Sequence, residues 1–445
     1  MKKYILAFAA VAAMLASCNQ DDSLEAVGNG TENNTPQPIT TIYASSENGT
    51  RAVVNSDGTG VLWQEGDKIG VYNSNKSTSF TLSSGAGSTS GEFSNAESGI
   101  TSISAVMHPY QENATYINRK LSFEIPTVQK GVKGSFDKNA AIMYAFGSSA
   151  NQQLSLAVNF LKLSIPVGVR SVVISSPSTS LTGKMELQDG NVSAVTDEGC
   201  NYVRLIPDGS KTFLAGDYYI AVKPGEIVTP TISFVQNYPL PGYVLLENSK
   251  TSNNNIQFSG ANNVVPLTVD FNTGDVTSRI ALQMWEGGPY FATYNVGADG
   301  LSDDRKGGLY YWGGSQDDAA NSDAWNGSGV LSGNHDTATK LWGVHWRMPT
   351  VDELRTLIAI CDSELIGNKL SNDAQMELTS RWNDYKLTFD VIGKFGYGQF
   401  WSSTPVDDSS NSDAYYMYIY STGAPEIGSS GRGLRCHIRA VLAVE

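Results

Sequence analysis

At 445 residues the chain is too long for one ordinary domain, and its 40% hydrophobic content is enough for packed cores. A net charge of −14, from 44 acidic against 30 basic residues with no basic stripe, excludes a nucleic-acid-binding surface. Apart from Cys18 the only cysteines are Cys200, Cys361 and Cys436, and three cysteines are not a disulfide framework. The 44 glycines and frequent Ser, Thr and Asn mark many turns between short alternating runs, so the fold class is mainly β.

Residues 1–17 read as a signal segment. "MKK" is a basic start and "YILAFAAVAAML" is an apolar run of 12 residues, short of the roughly 20 that span a bilayer. "LASC", Leu15 to Cys18, then resembles a bacterial lipobox, which implies a lipid thioether on Cys18 and an outer-membrane lipid as partner. Loss of residues 1–17 removes Lys2 and Lys3 and no acid, giving a net charge of −16. Such acidity suits an envelope or surface protein.

Residues 18–38 have almost no apolar content and are expected to form a flexible tether. From residue 39 to 152 come strand signals separated by turns, including "GVLWQEGDKIGVYN", "STSFTLSS" and "AIMYAFGSS". A second set fills residues 153–277, among them "LSLAVNFLKLSIPVG", "SVVISSP" and "GDYYIAVKPG". Strands at short, regular spacing without helical period predict two sandwiches.

Residues 278–445 differ in composition and hold seven of the eight tryptophans. Within "HWRMPTVDELRTLIAIC" a helix is predicted after Pro349. Thr350 and Glu353 form a T-x-x-E capping box, and Asp352 and Glu353 suit the positive end of the helix dipole. Leu354, Leu357, Ile358 and Cys361 fall on one apolar face, with Cys361 pointing into a core.

The runs "TRAVVNSDGTGVLWQEGDKIGVY", "AVMHPY", "LSFEIPTVQKG", "AAIMYAFG", "LAVNFLKLSIPV" and "AGDYYIAVKPG" together resemble the fimbrillin family of Bacteroidales pilus subunits, over about residues 40–270. The resemblance implies two tandem transthyretin-like β-sandwiches. It also implies maturation by a cut after an Arg near the first strand, here between Arg51 and Ala52 in "NGTRAVV", and other pilus subunits as partners through a donated strand.

The runs "FATYNVGA", "GLYYWGG", "WRMPTVDEL", "FWSSTP", "AYYMYIY" and "GLRCHIRAVL" resemble the Fibrobacter-type major paralogous domain. That likeness implies a third, α+β, C-type-lectin-like domain over residues 278–445. Folds of this kind often join a helix cysteine to one in a late strand, which points to Cys361 and Cys436. The alternative is two buried free thiols, and Cys200 is expected to be free.

No chemistry stands out. The four histidines are scattered, and HExxH, paired Cys-x-x-Cys, GxSxG and P-loop patterns are missing from the sequence. No enzyme, cofactor or bound metal is expected. "WND", Trp382 to Asp384, lacks the Glu-Pro-Asn or Gln-Pro-Asp partner that calcium-dependent lectins carry upstream, and the Fibrobacter-type resemblance, in which a Trp commonly precedes a "YKLTF"-like strand, implies that Trp382 lies in the core. The loop from Gly313 to Asp336 is the candidate ligand site. Its ordinary reading is a solvated loop, but Asp317, Asp318, Asp323 and Asp336 offer oxygens for a hard cation, and Trp325 can stack on a sugar or fold back.

The sequence thus predicts a pilus tip subunit and adhesin, exported as a lipoprotein precursor, with an unidentified surface ligand, glycan among the options. The alternative is a surface lipoprotein that binds glycan or protein without polymerising. Cys18→Ser is expected to abolish incorporation of labelled palmitate; unchanged labelling refutes the lipid anchor.

Overall fold

Thr41–Ser46 shows how alternation sets this fold: Ile42, Ala44 and Ser46 are buried while Tyr43 faces solvent. The strand runs antiparallel to Ser90–Ser94 and parallel to Asn151–Leu156. The computed structural model describes residues 37–46, 62–188, 191–194, 199–238, 243–258, 263–298, 306–314, 324–367, 374–391, 397–407, 412–420 and 423–443. Its architecture is mainly β.

The first set of strands closes into a seven-stranded barrel instead of the expected open sandwich. Thr41–Ser46 joins Ser90–Ser94 to Asn151–Leu156 and so removes the two edges that a sandwich would leave. Trp63, Phe80 and Phe93, all fully buried, fill the interior with Ile42 and Ile69.

The strand sets interlock. Lys120–Ile125 pairs with Gly183–Gln188, and Val128–Gly131 lies parallel to Tyr202–Pro207. The expected boundaries also fall inside strands: residue 152 lies within Asn151–Leu156 and residue 277 within Val276–Gln283.

A nine-stranded sheet carries the chain from the second set into the C-terminal part. Its order is Trp346–Arg347, Val441–Leu442, Tyr290–Ala292, Val276–Gln283, Val244–Thr251, Thr231–Asn237, Val169–Ser175, Tyr202–Pro207, Val128–Gly131. One face of its middle strands packs on the sheet of Gly216–Val222, Asn159–Ile165 and Val264–Leu267, around Val172, Ile174, Leu163 and Phe234. Val235, Leu245 and Ala281 belong instead to a cluster with Trp312, Trp346 and Trp401 of the C-terminal part.

That part contains helices α1 (Thr337–Trp342) and α2 (Val351–Ile360) and two three-stranded sheets. Helix α2 forms as its sequence dictates. The Glu353 amide donates to Thr350 Oγ1 at 3.2 Å, and the Thr350 amide donates to Glu353 Oε2 at 2.8 Å. Val351, Leu354 and Leu357 are buried, and the two leucines share a cluster with Phe389, Phe400 and Met417. Cys361 lies just past the helix and opens the strand Cys361–Ile366.

Thr350→Ala is expected to destabilise the C-terminal part by about 0.5–2 kcal/mol, and Leu357→Ala by about 2–5 kcal/mol. Tryptophan fluorescence during denaturant unfolding of the full chain reads this part selectively, because most tryptophans lie there. Equal midpoints in all three proteins would refute the packing of α2.

Candidate functional site

The residues singled out from sequence do not assemble into one site. Cys18, Arg51, Ala52, Asp317, Asp318 and Asp323 lie outside the described residues. Trp325 is not a free sugar platform: it folds back, stacks on His335 with ring centroids 4.9 Å apart, and lies 5.7 Å from the Trp312 ring. Gly313, at φ +71, permits this close return, since a Cβ there would sit 2.8 Å from Trp325 Cβ.

Asp336 is not a cation ligand either, because it is fully buried and engaged. Its Oδ1 accepts from the Thr339 amide at 3.0 Å, capping α1, and its Oδ2 accepts from the Met348 amide at 2.8 Å. Burial pushes its carboxyl above the usual range, with these backbone donors opposing.

Cys361 and Cys436 are both free thiols, so the implied bond is absent. Strand pairing separates them: Cys361 opposes Ser380 and packs with Leu354 and Leu357, whereas Cys436 opposes Tyr310 among Trp312, Trp346 and Trp401. Burial pushes the Cys361 thiol up to about 11 and the Cys436 thiol further. Cys200 is free and half-buried.

What the fold does bring together was not foreseen. Ser171, Glu247 and His345 come from Val169–Ser175, Val244–Thr251 and the loop before α2, and none is more than 1% exposed. His345 Nδ1 lies 3.0 Å from Glu247 Oε1, and its Nε2 lies 2.9 Å from Ser171 Oγ. The Trp346 indole donates to Glu247 Oε2 at 2.5 Å, and Arg279 pairs with the same oxygen at 3.1 Å.

Burial pushes the Glu247 carboxyl up, but His345, Arg279 and Trp346 more than offset it and hold it below the usual range. Burial also lowers His345, against the pull of Glu247. A carboxylate only accepts, so His345 carries its proton on Nδ1 and takes the Ser171 hydroxyl on Nε2. This is the connectivity of a hydrolytic triad, yet the Ser171 Oγ is buried and already accepts from Arg204 Nε at 3.1 Å. Here the chain of bonds fastens the C-terminal part to the sheet. One sequence signal was available: Glu247 is a lone acid in the strand-like run "YVLLENS".

Beside this latch, at one end of the nine-stranded sheet, lies a cleft of about 780 Å³. Its lining includes the cations Arg170 and Lys211 and the aromatic residues Tyr243, Tyr290 and Trp382. Trp382 was expected in a core; instead it is 38% exposed and meets Tyr243, equally exposed, edge-on at 4.5 Å. Asn383 donates to the Gln283 carbonyl at 2.8 Å, which holds the Trp382 turn against the sheet. Arg170 Nε donates to Asn237 Oδ1 at 2.8 Å, and its Nη1 lies 3.5 Å from the Tyr290 hydroxyl. Arg347, also in the lining, is held by both Glu353 oxygens, at 2.5 and 2.8 Å.

The latch makes stability depend on pH. Unfolded His345 takes a proton near its ordinary 6.5, while the folded ring resists it, so stability falls as pH drops through 6.5. Glu247, held low, withdraws its contribution further down, below its ordinary 4.5. Buried His108, lowered to about 4, and His437 act in the same direction. His345→Asn is therefore expected to flatten, without abolishing, the fall in melting temperature between about pH 7 and pH 5. An unchanged pH slope would refute the latch. Glu247→Gln at neutral pH is expected to destabilise by about 3–5 kcal/mol.

No protein-family model and no curated protein matches the chain. Among solved structures, a fimbrial protein from Bacteroides ovatus aligns over 91% of this chain and 100% of its own, at 12% identity and a TM-score of 0.24. A "putative cell adhesion protein" from Parabacteroides distasonis aligns over 47% of this chain and 78% of its own, at 10% identity and a TM-score of 0.22. Both superpositions lie below the level at which a shared fold follows.

Proposed function

We propose that the chain is an exported surface subunit of a bacterial pilus, anchored first through Cys18, and that it stands at the tip as an adhesin. The observation that carries this reading is the seat of Thr41–Ser46. This strand closes the barrel, and the stretch that holds Arg51 follows it directly. A cut between Arg51 and Ala52 frees the strand from the chain behind it. Its departure leaves Ser90–Ser94 and Asn151–Leu156 with unpaired backbone groups and empties the places of Ile42 and Ala44. A strand from another subunit fits that vacancy by β-strand addition.

The pairing of Val441–Leu442 is in keeping with the tip reading. Val441–Leu442 is paired on both sides, with Tyr290–Ala292 and with Trp346–Arg347. Its loss would unpair the sheet beside the latch. In this reading the barrel accepts a strand while Val441–Leu442 keeps its place in the sheet. The reading includes no catalytic step and no cofactor.

One observation favours the alternative, a surface lipoprotein that binds its ligand as a monomer. With Thr41–Ser46 resident the barrel has no open edge, so the uncut barrel needs no strand from another subunit. Arg51→Ala separates the two readings. It is expected to leave an uncut precursor that is stable but missing from pili. Identical processing and fractionation of mutant and parent would refute cleavage at Arg51. Immunogold label along the whole shaft, instead of at its ends, would refute the tip position.

A further inference from the structure

The cleft at the sheet end has a composition unlike the rest of the molecule. The chain is strongly acidic, with a net charge of −14. The cleft is lined by Arg170, Lys211 and Arg347 against Glu286 and Glu353, an excess of one positive charge. Arg347 and Glu353 neutralise each other. Arg170 is held by Asn237 and Tyr290, which are both neutral, with its guanidinium 6.0 Å from the Tyr290 ring centre, so its position is fixed without a carboxylate partner among the described residues. Neither Arg170 nor Lys211 has a carboxylate partner among the described residues.

The aromatic side is equally distinctive. Trp312, Trp346 and Trp401 are fully buried, whereas Trp382 is 38% exposed. Its contact with Tyr243 has an interplanar angle of 69°, so the two rings form a corner and do not cover each other. The negative face of an aromatic ring attracts the polarised C–H groups of a pyranose. A cleft of about 780 Å³ is of small-ligand size.

We propose that this cleft binds an acidic saccharide, with a sugar ring against the Trp382–Tyr243 corner and the sugar carboxylate between Arg170 and Lys211. A guanidinium held in place suits a planar carboxylate. The single excess charge fits one carboxylate. A polyanion would bring further charges against Glu286 and the acidic surface around it. The proposal takes from the functional reading only that the chain faces the outside of the cell, and it holds whether or not the chain polymerises.

Calorimetric titration of the full chain with sialyllactose, monomeric galacturonate and lactose tests it. The two acidic probes separate a sialylated from a uronic-acid source. At least one acidic probe is expected to bind, with lactose about tenfold weaker or worse, and added salt is expected to weaken the acidic probe. Lys211→Glu and Trp382→Ala are each expected to weaken acidic binding about tenfold or more at unchanged melting temperature, while Trp382→Phe retains it. Three results would each overturn the proposal: no binding of either acidic probe, equal binding of lactose, or acidic binding that survives both Lys211→Glu and Trp382→Ala. Incorporation into pili is scored separately in the same variants, so the sugar site and the polymer role fail independently.

Discussion

A carboxylate sealed from water must be met by partners, and Glu247 imposes that condition on half of the molecule. It lies mid-strand in Val244–Thr251, and its oxygens are taken by His345, Trp346 and Arg279. Two of these come from the loop that leads straight into α2, and the next residue, Arg347, grips Glu353 in the capping box. The anchoring of one charge thus fixes where α2 starts. Through Leu354 and Leu357 it then fixes where the helix meets the small sheets. Loss of a single partner leaves a buried charge unmet, so the network acts as a unit.

The same economy governs the sheet edges. The nine-stranded sheet ends in Trp346–Arg347, two residues long, on one side and Val128–Gly131, four residues long, on the other. Its longer strands lie inside. The barrel has no edge while Thr41–Ser46 is seated. Short or closed edges keep a β-rich protein from pairing at random. Release of the first strand would open a vacancy flanked by two strands at once, a more selective target than a single edge.

Local rules were legible in the sequence, and long-range pairings were not. The α2 cap was readable because Thr350 and Glu353 are three residues apart and the physics is contained in that turn. The mainly β class followed from alternation. Closure of the barrel did not, because a strand's alternation is the same in a sandwich as in a barrel. His345 finds Glu247 and Ser171 across 98 and 174 residues, a pairing that no spacing rule encodes. Asp336 and Trp325 misled for a related reason. Their loop is polar in composition, but each is drawn inward by a specific partner: the amides of Thr339 and Met348 for one, the His335 ring for the other. The implied Cys361–Cys436 bond rested on family resemblance, and the pairing of each cysteine with a different strand overrides it.

Latch and cleft are two sides of one piece of backbone. Ser171 enters the latch and Arg170, its neighbour, lines the cleft; Trp346 enters the latch and Arg347 lines the cleft. Arg170 sits at a shift of register between Val169 and Ser171, and the bonds that tie Ser171 and Trp346 together also hold their chain neighbours Arg170 and Arg347 in place. The second strand set supplies Arg170 and Lys211, while the C-terminal part supplies Tyr290 and Trp382. A ligand that touches all four needs those walls held at a constant separation, and the buried bonds from Glu247 supply it. A site organised before its ligand arrives loses less freedom on binding. Acidification, which weakens His345 and then Glu247 as partners, therefore loosens the cleft from behind.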